Sequence, residues 1–238
     1  MRLFLIGAAA LALIAMGVPF GPAQADGGTG DAADARLLFG DIDNRALKYE
    51  FLVDEQRVGI GEGRIRKVGE ARWQVDIRYE IDVELLGVDV YTLHLEARET
   101  YEGARLVALD SDSTEDGEHH EVSGRADGDV FRYTHNGEEA EAVSDIVPST
   151  ELWRRQLLKR TRVLHVVEGE PFERTTEPAE DRRIEGPDGE TVVLEGVYIE
   201  TPYETATLWF DAEGLLQRAV VDRMGTTLDI RRMAMEEE

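Results

Sequence analysis

The chain has 238 residues, no cysteine, and 50 acidic against 26 basic side chains, which gives a formal charge of −24. Such a charge disfavours nucleic acid and anionic lipid surfaces as partners, because binding to both depends on Lys and Arg. The lack of cysteine excludes thiol nucleophiles, thiolate metal sites and disulfides. The length is sufficient for one domain with a hydrophobic core.

Residues 1–25 have the pattern of an export signal that is removed from the mature protein. Arg2 supplies the positive start, residues 3–18 are apolar, and Ala23-Gln24-Ala25 gives the small residues that a signal peptidase recognises before Asp26. The apolar run is shorter than the roughly 20 residues that span a bilayer, so cleavage is favoured over an uncleaved anchor. No cysteine follows it, which excludes a lipid-anchored lipoprotein. We expect a protein of the periplasm or the exterior, without a transmembrane segment after cleavage.

Residues 26–45 are predicted to be a flexible acidic leader, and residues 46–238 a single β-rich domain. The clearest strand pattern covers residues 72–85, where apolar side chains alternate strictly with charged or polar ones. Successive strand side chains point to opposite faces, so this segment has one apolar and one charged face. Fourteen residues at ~3.3 Å each span roughly 45 Å, and so long a strand must bend within a curved sheet.

Residues 90–98 repeat this alternation, and turn sequences then recur along the chain. Asp116-Gly117 and Asn136-Gly137 are typical of tight hairpins, because both residues of each pair tolerate positive φ. Three glycines at alternate positions, Gly59, Gly61 and Gly63, leave one strand face bare, which suits a bend or close packing by an aromatic ring. A phosphate-binding loop is disfavoured there, since no helix pattern follows.

One short helix is predicted around residues 149–159, with Ser149 or Thr150 as its cap and Trp153 and Leu157 on its apolar side. A sheet with a single apolar face must fold over itself or be covered. The predicted fold is therefore mainly β: a strongly curved antiparallel sheet, as an open barrel or sandwich, with this helix closing one end or lying in the concavity.

Several segments taken in order resemble a known family. They are residues 49–53 (YEFLV), 58–59 (VG), 99–106 (ETYEGARL), 114–117 (TEDG), 148–153 (PSTELW) and 208–214 (LWFDAEG). The chain resembles a family of bacterial periplasmic β-rich domains of unknown function. More loosely, its last strands resemble half-barrel domains that carry lipoproteins or other apolar ligands. The resemblance implies a β-rich fold and supplies no catalytic residues.

The function favoured by these features is noncatalytic binding of an apolar small molecule, a lipid or a segment of a periplasmic protein in the curved sheet. The predicted lining residues are Trp73, Val75, Ile77, Tyr79, Ile81, Tyr91, Leu93, Trp153 and Trp209. One alternative is a structural or protein-interaction domain with a filled core. Another is a hydrolase with an unidentified carboxylate site, since 50 acidic residues make close pairs unavoidable. No cofactor is expected.

Residues 110–121 include oxygen ligands at the spacing of a calcium loop, namely Asp110, Asp112, Thr114 and Glu121. Position 6 of that loop is Glu115, where its sharp turn needs glycine, so an acidic hairpin is favoured and weak Ca²⁺ binding is the alternative. His119 and His120 are adjacent and would face opposite sides of a strand, so they cannot easily bind one metal ion, and their spacing disfavours a transition-metal site. The remaining histidines, His94, His135 and His165, are expected to be ordinary surface residues.

Overall fold

The computed structural model describes residues 38–40, 42–85, 88–140, 143–185, 190–223 and 225–234. The proposed export signal and most of the leader lie outside these residues. Within the described chain, no helix is long and apolar enough to cross a membrane.

Thirteen strands of the described chain form one open antiparallel sheet. Its strands are β1 Asn44–Val53, β2 Gln56–Gly69, β3 Arg72–Leu85, β4 Val88–Glu102, β5 Arg105–Glu115, β6 Glu118–Asp127, β7 Val130–His135, β8 Glu138–Glu139, β12 Thr175–Glu185, β13 Thr191–Glu200, β14 Thr205–Phe210, β15 Leu216–Arg223 and β16 Thr226–Arg232. Three short strands form a second sheet: β9 Val147–Pro148, β10 Arg162–Leu164 and β11 Pro171–Glu173. The predicted β-rich, curved-sheet class is confirmed.

The large sheet consists of two meanders joined where β1 pairs with β16. The first runs from β1 to β8 and the second from β12 to β16, so β8 and β12 are the two free edges of the sheet among the described residues. The segment between these edges, residues 143–174, holds the small sheet and two 3-10 helices, and many of its side chains belong to the core. We call it the crossing segment; it covers the apolar face of the sheet.

The alternation predicted for residues 72–85 is present in β3, where Trp73, Val75, Ile77 and Ile81 are buried. We call the face that carries these side chains the inner face and the opposite one the charged face. Register shifts interrupt several of the strand pairings, for example between β3 and β4 at Val83/Glu84. Such irregularities bend long strands, as the length of β3 required.

Glycines and turns follow the sequence expectations. Asp116 and Asn136, with the glycines that follow them, have positive φ at the β5–β6 and β7–β8 turns. A Cβ at Gly61 would lie 3.0 Å from the Phe51 ring and 3.2 Å from Tyr79. At Gly61, therefore, aromatic rings occupy the bare face of β2, which was one of the two predicted reasons for its glycines.

The helix predicted around residues 149–159 consists of two 3-10 helices, Glu151–Trp153 and Arg155–Lys159. Arg154 between them is extended and forms an isolated bridge with Leu215, while its guanidinium donates to the carbonyls of Leu38 and Glu213. These distant contacts interrupt the regular helix. Neither 3-10 helix has a side-chain cap at its start.

Part of the predicted leader is ordered. Leu38, Phe39 and Ile42 are buried in the core, and β1 begins at Asn44, two residues before the expected domain start. Phe39 is fully buried and stacks on Trp73 with ring centroids 4.7 Å apart and planes 2° from parallel. Phe39 of the leader therefore covers the end of the sheet that carries Trp73.

Candidate functional site

The predicted lining residues at the Trp73 end belong to a filled core. Trp73 is 4% exposed, its indole donates to the Ile42 carbonyl at 2.9 Å, and Phe39 packs between it and Trp153. Val75 and Ile77 are buried in the same cluster. The chain's own side chains thus occupy this end of the concavity.

The remaining inner-face residues lie toward the opposite end of the strands, which we call the open end. Tyr79, Tyr91 and Leu93 are half-buried there, and Ile81 is buried opposite Leu93. The Tyr91 hydroxyl donates to Glu115 at 2.9 Å. The apolar face is therefore less completely covered here than around Trp73.

Trp209 does not join these residues. It lies between the buried Leu208 and Phe210 on β14, so its side chain is on the other face of the sheet. There the indole donates to the Glu180 carbonyl at 3.0 Å, and the Arg182 guanidinium lies 5.5 Å from the ring centroid.

Histidines and charged groups surround the open end. His165 belongs to the crossing segment, and burial lowers its pKa to about 4. His120 stacks on His135 with centroids 5.9 Å apart, and both rings are half-buried. The expectation that His135 and His165 are ordinary surface residues is wrong: Gly169 of the crossing segment packs against the His135 ring, and the His165 ring contacts Phe172 and Tyr203.

Glu99 is an acidic residue on the apolar inner face, opposite Val75, and it is fully buried. Its carboxylate accepts hydrogen bonds from the hydroxyl groups of Tyr101, at 2.7 Å, and Thr150. Burial raises the pKa of Glu99 to about 7, although these two hydrogen bonds act in the opposite direction. Thr150 belongs to the crossing segment, so this contact joins that segment to the sheet.

A second buried carboxylate, Glu151, forms an ion pair with Arg174, and both side chains are almost fully buried. Arg174 also donates to the backbone carbonyls of Leu157 and Arg160. Burial raises the pKa of Glu151, and Arg174 partly offsets this effect. Neither Glu99 nor Glu151 is accessible to a substrate in this arrangement. The ion pair between Glu151 and Arg174 stabilises the crossing segment.

The predicted cation ligands lie on strands and not in a calcium loop. Asp110, Asp112 and Thr114 share the charged face of β5, and Glu121 lies opposite Asp112 on β6. Asp110 is engaged by Arg125 through hydrogen bonds of 3.1 and 2.9 Å. Asp112 and Glu121 are brought together with His119, and their ligand atoms lie within 4.8 Å of one another.

An open groove of about 1030 Å³ runs along the charged face from β1 to β7. Acidic and basic side chains alternate along it and pair with one another, as in Lys48–Glu62 at 3.3 Å and Asp76–Arg98 at 2.7 Å. These paired charges along the groove disfavour a hydrophobic ligand there.

Neither Glu99 nor the grouping of His119 with Asp112 and Glu121 was predicted from the sequence. A signal for Glu99 was present: it follows Leu93, Leu95 and Ala97 at the same alternate positions, so the β4 pattern places it on the apolar face. The His119 group depends on the β5–β6 register, which the Asp116-Gly117 turn fixes.

A family model described as "Domain of unknown function (DUF6134)" matches residues 49–233. The chain belongs to this family. The match covers both meanders and the crossing segment between them, so it includes nearly all of the described fold. Among curated proteins, none matches the chain.

A solved structure with a related fold is the beta-barrel-like protein of domain of unknown function DUF1849 from Brucella abortus. It has 9% sequence identity and a TM-score of 0.61, and the alignment covers 81% of this chain and 96% of that protein. At this identity the likeness shows the fold alone. It supports the barrel-like curvature of the DUF6134 domain and assigns no activity.

Proposed function

We propose that this DUF6134 protein is an exported, noncatalytic binding protein that holds an apolar ligand at the open end of its inner face. The observation that carries the proposal is the uneven covering of that face. Trp73 and Tyr101 at the filled end are 4% and 0% exposed, whereas Tyr91 and Leu93 remain half-buried. Export is supported by the signal pattern of residues 1–25.

The open end combines the features expected of a binding site. Leu228 and Ile230 on β16 are also half-buried apolar residues of the inner face. A ligand that covered such side chains would contribute roughly 25 cal/mol for each Å² of apolar surface removed from water. Arg223, whose charge acts on Tyr91, and Glu204, which interacts with Arg223, would fix its orientation, as a few polar groups commonly do in apolar sites.

A second candidate is a protein-interaction domain with a filled core. The packed arrangement of Phe39, Trp73 and Trp153 favours it, since it fills the concavity where an internal carrier would need space. The free edges of β8 and β12 would then offer backbone groups to a partner strand. For the hydrolase alternative, the buried position of Glu99 and Glu151 gives no support.

Two measurements test the binding proposal. The exported chain, purified without detergent, is expected to carry lipid detectable by mass spectrometry and to begin at Asp26. The apolar fluorophore N-phenyl-1-naphthylamine should bind with enhanced fluorescence, and Leu93→Asp should abolish that enhancement because it places a charge on the half-buried apolar surface.

The matched control is Val193→Asp on β13, where the valine is 53% exposed and outside the open end. It should leave fluorophore binding unchanged. Circular dichroism and thermal melting should show that both variants are folded. Absence of both lipid and fluorophore binding in the unaltered chain, or an equal loss in the two variants, would overturn the proposal and favour the interaction domain.

A further inference from the structure

The β5–β6 hairpin brings one imidazole and two carboxylates together on the charged face. Asp112 lies directly opposite Glu121, and His119 is two residues from Glu121 on the same strand and face. The Nε2 atom of His119 is 3.7 Å from Asp112 Oδ2 and 3.6 Å from Glu121 Oε1. All three ligand atoms converge within 4.8 Å.

These separations suit a small divalent ion. Ligands held ~2.1 Å from a tetrahedral ion are roughly 3.4 Å apart, which is close to both His119 distances. Only a small adjustment of exposed side chains is therefore needed for binding. The backbone need not move, because a tight turn and a continuous antiparallel pairing already fix the two strands.

We propose that Asp112, His119 and Glu121 form a binding site for a divalent transition ion of the Zn²⁺ class. An imidazole nitrogen favours such ions over Ca²⁺, which prefers six to eight oxygen ligands. The site differs from the predicted calcium ligands, because Arg125 binds Asp110 and His119 takes the place of Thr114. It is independent of ligand binding at the open end.

Exposure of the three residues leaves further coordination positions to water. Their side chains are 56–66% exposed, and Asp112 and Glu121 line the groove on the charged face. An ion with three protein ligands and an open position can accept an additional ligand atom from a molecule in that groove.

The contacts of His119 with Asp112 and Glu121 would also be present if the histidine only formed ion pairs with these two acids. A control must therefore distinguish a metal site from an ordinary ion pair. The charged face offers one: His94 lies 3.4 Å from Asp82 and has a similar exposure of 59%, yet no third ligand of the described chain completes its group. A metal site must depend on His119 and not on His94.

The test is isothermal titration calorimetry with ZnCl₂. The chain carries no polyhistidine tag and is first treated with EDTA to remove bound metal. The unaltered chain should bind one Zn²⁺ at a saturable site, and millimolar Ca²⁺ should not displace it. His119→Gln should weaken binding by at least about tenfold, because it removes the nitrogen ligand. Glu121→Gln should act in the same direction, and His94→Gln should have no effect.

Thermal melting supplies a second readout. Zn²⁺ should raise the melting temperature of the unaltered chain and of His94→Gln, but not that of His119→Gln, because only binding to the folded state stabilises it. Unchanged circular dichroism shows that His119→Gln is folded, as expected for an exposed position. Any of three results would overturn the proposal: no saturable binding of Zn²⁺, displacement of Zn²⁺ by millimolar Ca²⁺, or an unchanged Zn²⁺ affinity in His119→Gln.

Discussion

Replacing the buried Glu99 by glutamine should stabilise the protein at alkaline pH. The carboxyl group is fully buried, and its pKa is raised to about 7 from an ordinary value of 4.5, chiefly by loss of solvation. Glutamine has nearly the same shape and no charge. Its amide can accept from one of the Tyr101 and Thr150 hydroxyl groups and donate to the other, since each hydroxyl can rotate to suit.

The direction in which stability changes with pH follows from the protons bound by the folded and unfolded chains. Between pH 4.5 and 7 the unfolded chain has already released the Glu99 proton while the folded chain still binds it, so rising pH favours unfolding. The loss accumulates across this window and levels off above pH 7. With about 1.36 kcal/mol for each pH unit, the difference between 4.5 and about 7 corresponds to roughly 3 kcal/mol.

The assay is urea unfolding at pH 4 and pH 8 for the unaltered chain and Glu99→Gln. We expect the free energy of unfolding of the variant, relative to the unaltered chain, to rise by about 3 kcal/mol between the two pH values. Other titrating groups, such as His165 with its lowered pKa, are common to both proteins and cancel in this difference.

Glu96→Gln is the matched control, because Glu96 lies on the same strand but is exposed on the charged face. Its effect should stay within about 0.5 kcal/mol at both pH values. A Glu99→Gln difference that does not change with pH would refute the reasoning, as would a variant that is less stable than the unaltered chain at pH 8.

Two further sets of variants test the packing of the crossing segment and of β2. Arg174→Met should cost about 3–5 kcal/mol of unfolding free energy because it leaves Glu151 buried without its ion pair, and adding Glu151→Gln should recover much of the loss. Gly61→Val should cost roughly 1–3 kcal/mol because its side chain would overlap the Phe51 ring, whereas Gly63→Ala, with 3.7 Å to its nearest neighbour, should be well tolerated. Urea unfolding measures both effects.

The exposed pair of Arg132 and Asp127 gives a comparison for the buried one. Arg132→Met should change stability by less than about 1 kcal/mol, since exposed ion pairs contribute little. Equal costs for Arg174→Met and Arg132→Met would contradict the structural role assigned to the buried pair. Equal costs for the two glycine variants would likewise argue against close ring packing at Gly61.

The sequence by itself determined the features that depend on neighbouring residues. The period-2 pattern defined β3 and its buried face, because successive strand side chains must alternate. Asp116-Gly117 and Asn136-Gly137 defined their turns, since few residues adopt positive φ at low cost. Residues 49–233 carry the family relationship, and the sheet class followed from these local signals.

Only the tertiary structure decided which distant residues meet. Phe39 fills the concavity beside Trp73, Arg154 interrupts a helix through contacts to residues far along the chain, and Thr150 binds Glu99 where a helix cap was expected. Each depends on how the crossing segment and the leader pack on the sheet, which local pattern does not encode. The convergence of His119 with Glu121 and its opposite strand likewise required the register of the folded hairpin.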